Sequence, residues 1–166
     1  KKLTKQQLME LVEIARLTPS AANRQPFKYR IVCDEEENEK VFRLLGFAGY
    51  LKDWDGPSEG EKPTGYIVIT CPANVNDEVD AGIVGQTMLL AATEAGFGGC
   101  FFVKRDELKT QLNIPSELKI VYVIAFGYPK EEVVLEDIPV DGDIKYYRDE
   151  NQVHHVPKKR IEDIVL

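Results

Sequence analysis

The residues Pro19-Ser20-Ala21-Ala22-Asn23-Arg24-Gln25-Pro26-Phe27 carry the densest chemistry in the chain. Two prolines fix the path of the segment. Between them stand a hydroxyl, two primary amides and a guanidinium. Such a set can offer donors and acceptors to a flat heteroaromatic ring, as cofactor clefts do. The same residues also build an ordinary turn, because Asn and Ser bond to their own backbone, and on residue type alone the turn is the simpler reading. A second concentration, Val156-Pro157-Lys158-Lys159-Arg160, places three cations together in a chain of formal charge −7. Arg gives a two-pronged fork and Lys a point charge, a pairing suited to phosphate. Taken by itself, this run too reads more simply as a solvated charge cluster before a terminal turn.

His154 and His155 are the chain's only histidines. Neighbours on an extended segment point to opposite faces, so the pair cannot chelate one metal, and no metal site is expected. No arrangement suggests a Ser/His/Asp triad, a Cys nucleophile with a positioned base, or a P-loop. The scattered Asp and Glu read as surface residues. No catalytic side chain is assigned.

Length and charge narrow the classes. A chain of 166 residues suits one compact domain. The acidic balance argues against a nucleic-acid partner, which requires a basic face. No apolar run approaches the roughly 20 residues needed to cross a bilayer. The chain opens Lys1-Lys2-Leu3-Thr4 and runs straight into an amphipathic pattern, so no signal peptide is expected. Cys33, Cys71 and Cys100 lie far apart beside apolar residues. They read as buried thiols in a reducing, cytoplasmic compartment.

The elements that must position these residues follow from periodicity. Thr4 and Gln7 form a capping box, and Leu8, Leu11, Val12 and Ala15 make one buried stripe of a helix that ends before Pro19. A strand is expected over Tyr29–Cys33. Asp34 can cap a helix to about Leu45, with Val41, Leu44 and Leu45 inward. Residues 46–65 form a long aromatic and glycine-bearing loop, a length typical of a lid or binding loop. Tyr66–Thr70 reads as a strand. Asp77–Ala95 reads as the longest helix, apolar nearly all round and therefore suited to burial against a second subunit, with Gly96 closing it. A short strand over Gly99–Val103, a helix from about Arg105 to Leu112 and a central strand over Lys119–Phe126 follow. The last ~40 residues are polar with little periodicity, and read as a tail over a partner subunit. The alternation of helices and strands invites a parallel α/β fold. The dinucleotide fingerprint fails, however, because Gly96-Phe97-Gly98-Gly99-Cys100-Phe101 has Phe at the third glycine and precedes a strand.

Taken together, the segments resemble the nitroreductase family over nearly the whole chain. Ala15-Arg16-Leu17-Thr18-Pro19-Ser20-Ala21-Ala22-Asn23-Arg24-Gln25-Pro26-Phe27 resembles the family's Pro-Ser-Ala-x-Asn-x-Gln-Pro-Trp loop, with Phe27 for the usual Trp. The helix from Asp80 to Ala92, the turn Gly96-Phe97-Gly98-Gly99-Cys100, Phe126-Gly127-Tyr128-Pro129 and the basic cluster 156–160 match in the same order. The resemblance implies a single α+β domain over 1–166, with a mixed β-sheet flanked by helices. It further implies an intertwined homodimer in which the tail, about 128–166, packs on the partner. It implies FMN as cofactor. Pro19, Ser20, Ala21, Asn23 and Gln25 would touch the flavin, with Phe101 and Phe102 near its ring. Lys158 and Arg160 would hold its phosphate, and Tyr50 and Trp54 would overhang the substrate. The implied reaction is hydride transfer from NAD(P)H to flavin N5, then reduction of a nitro compound, quinone or similar small acceptor. Two family features have no counterpart in this sequence: an Arg-x-Ser-x-Arg before the first helix, and two residues after Phe102. These favour an alternative, a flavin- or ligand-binding scaffold without turnover.

Overall fold

The computed structural model describes residues 1–103 and 106–166. The expected start of the fourth helix, at about Arg105, lies outside the described residues. The chain divides into two compact units, 1–45 with 62–128 and 46–61 with 129–166.

In the first unit, helix α1 (Lys5–Ala15) starts at Thr4, whose side chain accepts from the Gln7 amide while Gln7 bonds back to Thr4. This is the expected capping box. Strand β1 (Lys28–Val32) leads to α2 (Glu35–Phe42), where the Asp34 carboxylate accepts from the Glu36 and Glu37 amides. This helix stops three residues before the expected end, although Val41 and Leu45 are buried as anticipated. Strand β2 (Gly65–Pro72), helix α3 (Glu78–Glu94), strand β3 (Gly98–Val103), helix α4 (Glu107–Gln111) and strand β4 (Leu118–Gly127) complete the unit.

The sheet order is β1-β2-β4-β3, and every neighbouring pair is antiparallel. The alternation of helices and strands therefore does not produce parallel crossovers here. β2 and β4 are central, which explains why their sequences are almost continuously apolar: both faces are covered. Ile67 and Ile69 of β2 pack with Leu8, Leu11 and Ala15 of α1 and Val84, Met88 and Ala92 of α3. Strand alternation turns Tyr66 and Val68 to the other face, where α2 and α4 bring Val41 and Leu108. Each such fully buried aliphatic side chain contributes about 1.5–3 kcal/mol relative to exposure.

Helix α3 ends in a Schellman motif. The Phe97 amide bonds to the Ala92 carbonyl and the Gly96 amide to the Thr93 carbonyl, with Gly96 at φ 79°. The helix is not covered all round within one chain. Asp80, Ala81, Val84, Gly85, Met88 and Ala92 form the buried stripe, while Val79 is 78% and Leu90 63% exposed. The thiols also differ from the expectation: Cys71 is buried, Cys33 half-buried and Cys100 exposed, because β3 is an edge strand.

In the second unit the polar tail is not a featureless strap. It forms a three-stranded sheet of β5 (Val133–Ile138), β6 (Tyr147–Arg148) and β7 (His154–Lys159), ordered β5-β7-β6. β5 and β7 are parallel, the only parallel pair among the described residues, and β6 is antiparallel to β7. The β6–β7 turn is built on Asp149, whose Oδ1 accepts from the Asn151 and Val153 amides. No described helix is long and apolar enough to cross a membrane.

Close approach of α3 to the sheet requires Gly85. A Cβ there would lie 2.3 Å from Phe101 Cζ and 3.2 Å from Ile124 Cδ1. Gly85→Ala is expected to lose about 1–2 kcal/mol, since overpacking outweighs the ~1 kcal/mol gain in helix propensity. A lowered urea midpoint at unchanged slope checks this.

Candidate functional site

The loop from Ser20 to Gln25 adopts an unusual backbone. A single 3₁₀ turn spans Ala21–Asn23, and Ala22, Asn23 and Gln25 have φ of 52°, 54° and 48°. Non-glycine residues enter this left-handed region at a cost of about 1–2 kcal/mol each, and they persist only where neighbours hold them. The holding contacts are specific. Ser20 Oγ accepts from the Gln25 amide at 3.0 Å. Asp80 Oδ2 accepts from the Ala21 amide at 2.9 Å. Asp77 Oδ1 accepts from the Arg24 guanidinium at 2.9 Å. The Gln25 side-chain amide donates to the carbonyl and the side-chain oxygen of Asn23.

Pro19, Ala21, Asn23 and Gln25 are all exposed, with Ser20 half-buried. The loop thus displays two primary amides on a backbone fixed from behind. Its anchors are the two carboxylates at the start of α3. Both were expected at the surface, yet Asp80 is 7% exposed and the Asp77 side chain 8%. Asp80 falls on the same buried stripe as Val84 and Met88, but in a helix apolar nearly all round no residue pattern marks which stripe faces the core. Asp77 stands at the N-cap position of α3 but makes no capping bond, because its carboxylate is turned to Arg24.

Phe101 and Phe102 lie on β3. Phe101 packs into the α3 face of the core, edge-on to Tyr122 at 5.5 Å between ring centroids. Phe102 is buried, and strand alternation puts it on the opposite face.

The second unit holds the remaining candidates. Lys158 and Arg160 are exposed at the end of β7, and alternation places them on one side, with Lys159 on the other. Arg160 reaches Glu162 only at 4.0 Å. Tyr50 packs on Tyr146 at 4.9 Å between centroids, and Tyr146 in turn stacks on His154. The Arg148 guanidinium lies 4.3 Å over the Trp54 ring and bonds to Glu131 at 2.7 Å. Tyr147 stacks on His155 with 5° between planes. Segment 146–148 therefore ties Tyr50 and Trp54 of the loop to the sheet, a role that no local sequence pattern announces. Among the described residues no group of three or more His, Cys, Asp and Glu is placed to hold a metal ion.

His155 Nδ1 meets Glu136 at 2.5 Å and Nε2 meets Asp149 at 3.5 Å. The Glu136 hydrogen bond chiefly, with the nearby Asp149 carboxylate, raises its pKa above the ordinary value, against the effect of burial. A raised folded-state pKa stabilises the protein fully below the unfolded value, about 6.5, and that contribution is lost as pH rises through the folded pKa. The thermal stability of wild type relative to His155→Gln is thus expected to be greatest near pH ~6 and to shrink on going alkaline. A difference independent of pH from about 6 to 9 would contradict the pairing.

Comparison with known proteins matches the chain to two family models, one described as "Putative TM nitroreductase" over residues 56–163 and one as "Nitroreductase family" over residues 1–46. An iodotyrosine deiodinase of Thermotoga neapolitana is 27% identical, covering 75% of this chain and 77% of its own. A "Putative NADH dehydrogenase/NAD(P)H nitroreductase" of Archaeoglobus fulgidus is 26% identical over 80% of this chain and 78% of its own. The solved structure of an FMN-dependent nitroreductase from Clostridium difficile superposes with a TM-score of 0.61 at 23% identity, covering 80% of each chain. With an α+β fold of antiparallel main sheet and flanking helices, and with the first model covering most of its length, the chain belongs to the nitroreductase family of oxidoreductases.

Proposed function

We propose that the protein is an FMN-dependent oxidoreductase that passes electrons from NAD(P)H to a nitro compound, quinone or similar small acceptor. The observation that carries this reading is the left-handed loop from Ser20 to Gln25. It holds Asn23 and Gln25 side chains at the surface, bonded among the described residues only to each other and to local backbone. A flavin ring edge is a row of amide-like donors and acceptors, which primary amides complement. The donor set for the phosphate also fits: Lys158 and Arg160 are exposed cations on one side of a strand end. A bound flavin supplies the hydride and electron chemistry. The chain's own residues bind, orient and shield, which is why no acid–base pair is needed. Tyr50 and Trp54, each packed on a residue of segment 146–148, supply aromatic surface to a flat acceptor.

The working form is proposed to be a homodimer. Val79, Ile83 and Leu90 leave an apolar face of α3 exposed, and a second copy would cover it. The free thiols Cys33, Cys71 and Cys100 suit a cytoplasmic location.

Titration with FMN, followed by flavin fluorescence, is expected to saturate at one flavin per subunit. Arg160→Ala is expected to weaken binding about ten- to a hundredfold, the worth of one charge-assisted contact. Absence of any binding overturns the reading. Ile83→Glu buries a charge in the proposed interface and is expected to shift sedimentation from dimer to monomer. A wild type that sediments as a monomer at all concentrations would remove the dimer from the account.

A further inference from the structure

The contacts behind the loop do more than stabilise the fold. We propose that Asp80, with Asp77 in support, is a positioning residue for cofactor binding: it holds residues 21–25 in the one backbone conformation that presents the Asn23 and Gln25 amides. The inference rests on the flavin reading above.

Three observations support it. First, the loop stores strain at Ala22, Asn23 and Gln25, and Ala22 gains nothing locally from a left-handed backbone, since it has no polar side chain to bond to its neighbours. The Asp80 bond lands on the Ala21 amide, immediately before the strained stretch. Second, Asp80 occupies a position on the buried stripe of α3 that an aliphatic residue would fill to the benefit of the core. Third, Asp77 Oδ2 is buried with no hydrogen-bond partner among the described residues, while Oδ1 is committed to Arg24. An acid kept under these conditions costs stability and is better explained by what it holds. The two carboxylates grip the loop at Ala21, ahead of the exposed amides, and at Arg24, between them. Sitting at the start of α3, they are themselves favoured by the positive end of the helix dipole. The rigid helix is thus the reference against which the amides are set. Loss of the Asp80 bond frees the Ala21 amide to water and lets residues 22–25 relax to ordinary backbone, moving Asn23 and Gln25 out of register with a ring.

The test compares Asp80→Ala, Asp80→Asn and Met88→Ala with wild type. Met88 is fully buried on the same helix, in the hydrophobic core cluster. Two readouts are used: FMN affinity by fluorescence titration, and amide hydrogen exchange of residues 20–25 in the flavin-free protein. Asp80→Ala is expected to speed exchange at Ala21 and Gln25 and to raise the FMN dissociation constant about tenfold or more. Asp80→Asn keeps an acceptor oxygen and is expected to recover binding to within about threefold of wild type. Met88→Ala is expected to lower Tm while leaving both loop exchange and FMN affinity unchanged. Asp80→Ala with wild-type exchange and affinity overturns the proposal, as does Met88→Ala weakening FMN as much as Asp80→Ala at equal loss of Tm. Failure of wild type itself to bind FMN sinks the flavin reading instead, and the exchange arm then still decides whether Asp80 sets the loop.

Discussion

A hydrogen bond from a loop amide to a buried carboxylate is the constraint on which the candidate site depends. Asp80 takes the Ala21 amide, and the three left-handed residues that follow owe their backbone to that bond and to the Ser20–Gln25 closure. The bond is dependable only because α3 is itself immobilised. Gly85 lets the helix approach β3 and β4 closely, and the Schellman turn at Gly96 fixes where the chain leaves it. Core packing thus reaches the chemistry through two acidic residues at one helix end.

The second unit applies a related solution with different materials. Tyr146, Tyr147 and Arg148 each carry a ring or guanidinium partner, and two of these partners, Tyr50 and Trp54, belong to the long loop. Such ring and cation–π contacts restrain a loop without closing it, because each is worth only about 0.5–1.5 kcal/mol. His155, gripped between Glu136 and Asp149, secures the sheet that carries this row. An aromatic loop held by several weak contacts suits the role proposed for it, to admit flat acceptors.

Local chemistry was legible in the sequence. The Thr4–Gln7 box, the Asp34 cap and the Gly96 terminus depend on residues a few positions apart, and each stands where spacing put it. The loop from Pro19 to Phe27 was legible as chemistry but not as conformation, since nothing in its residue types announces three left-handed residues without glycine. The β5–β7–β6 sheet was missed for a physical reason. Its parallel pair joins residues about twenty positions apart, and Pro157 within β7 argues against a strand except where one side is open, as it is at Pro157 beyond the two-residue β6. The burial of Asp80 is not legible, because α3 is apolar nearly all round and only the fold decides which of its faces meets the core; once buried, the carboxylate needs a donor, and the Ala21 amide supplies it.

The central claim is that the Ser20–Gln25 loop is the seat of a flavin ring. Hydrogen exchange of the intact protein with and without saturating FMN tests it most directly. The account predicts that FMN slows exchange chiefly in segments 19–25 and 156–160. Saturable FMN binding that leaves segment 19–25 exchanging at its unbound rate would contradict it.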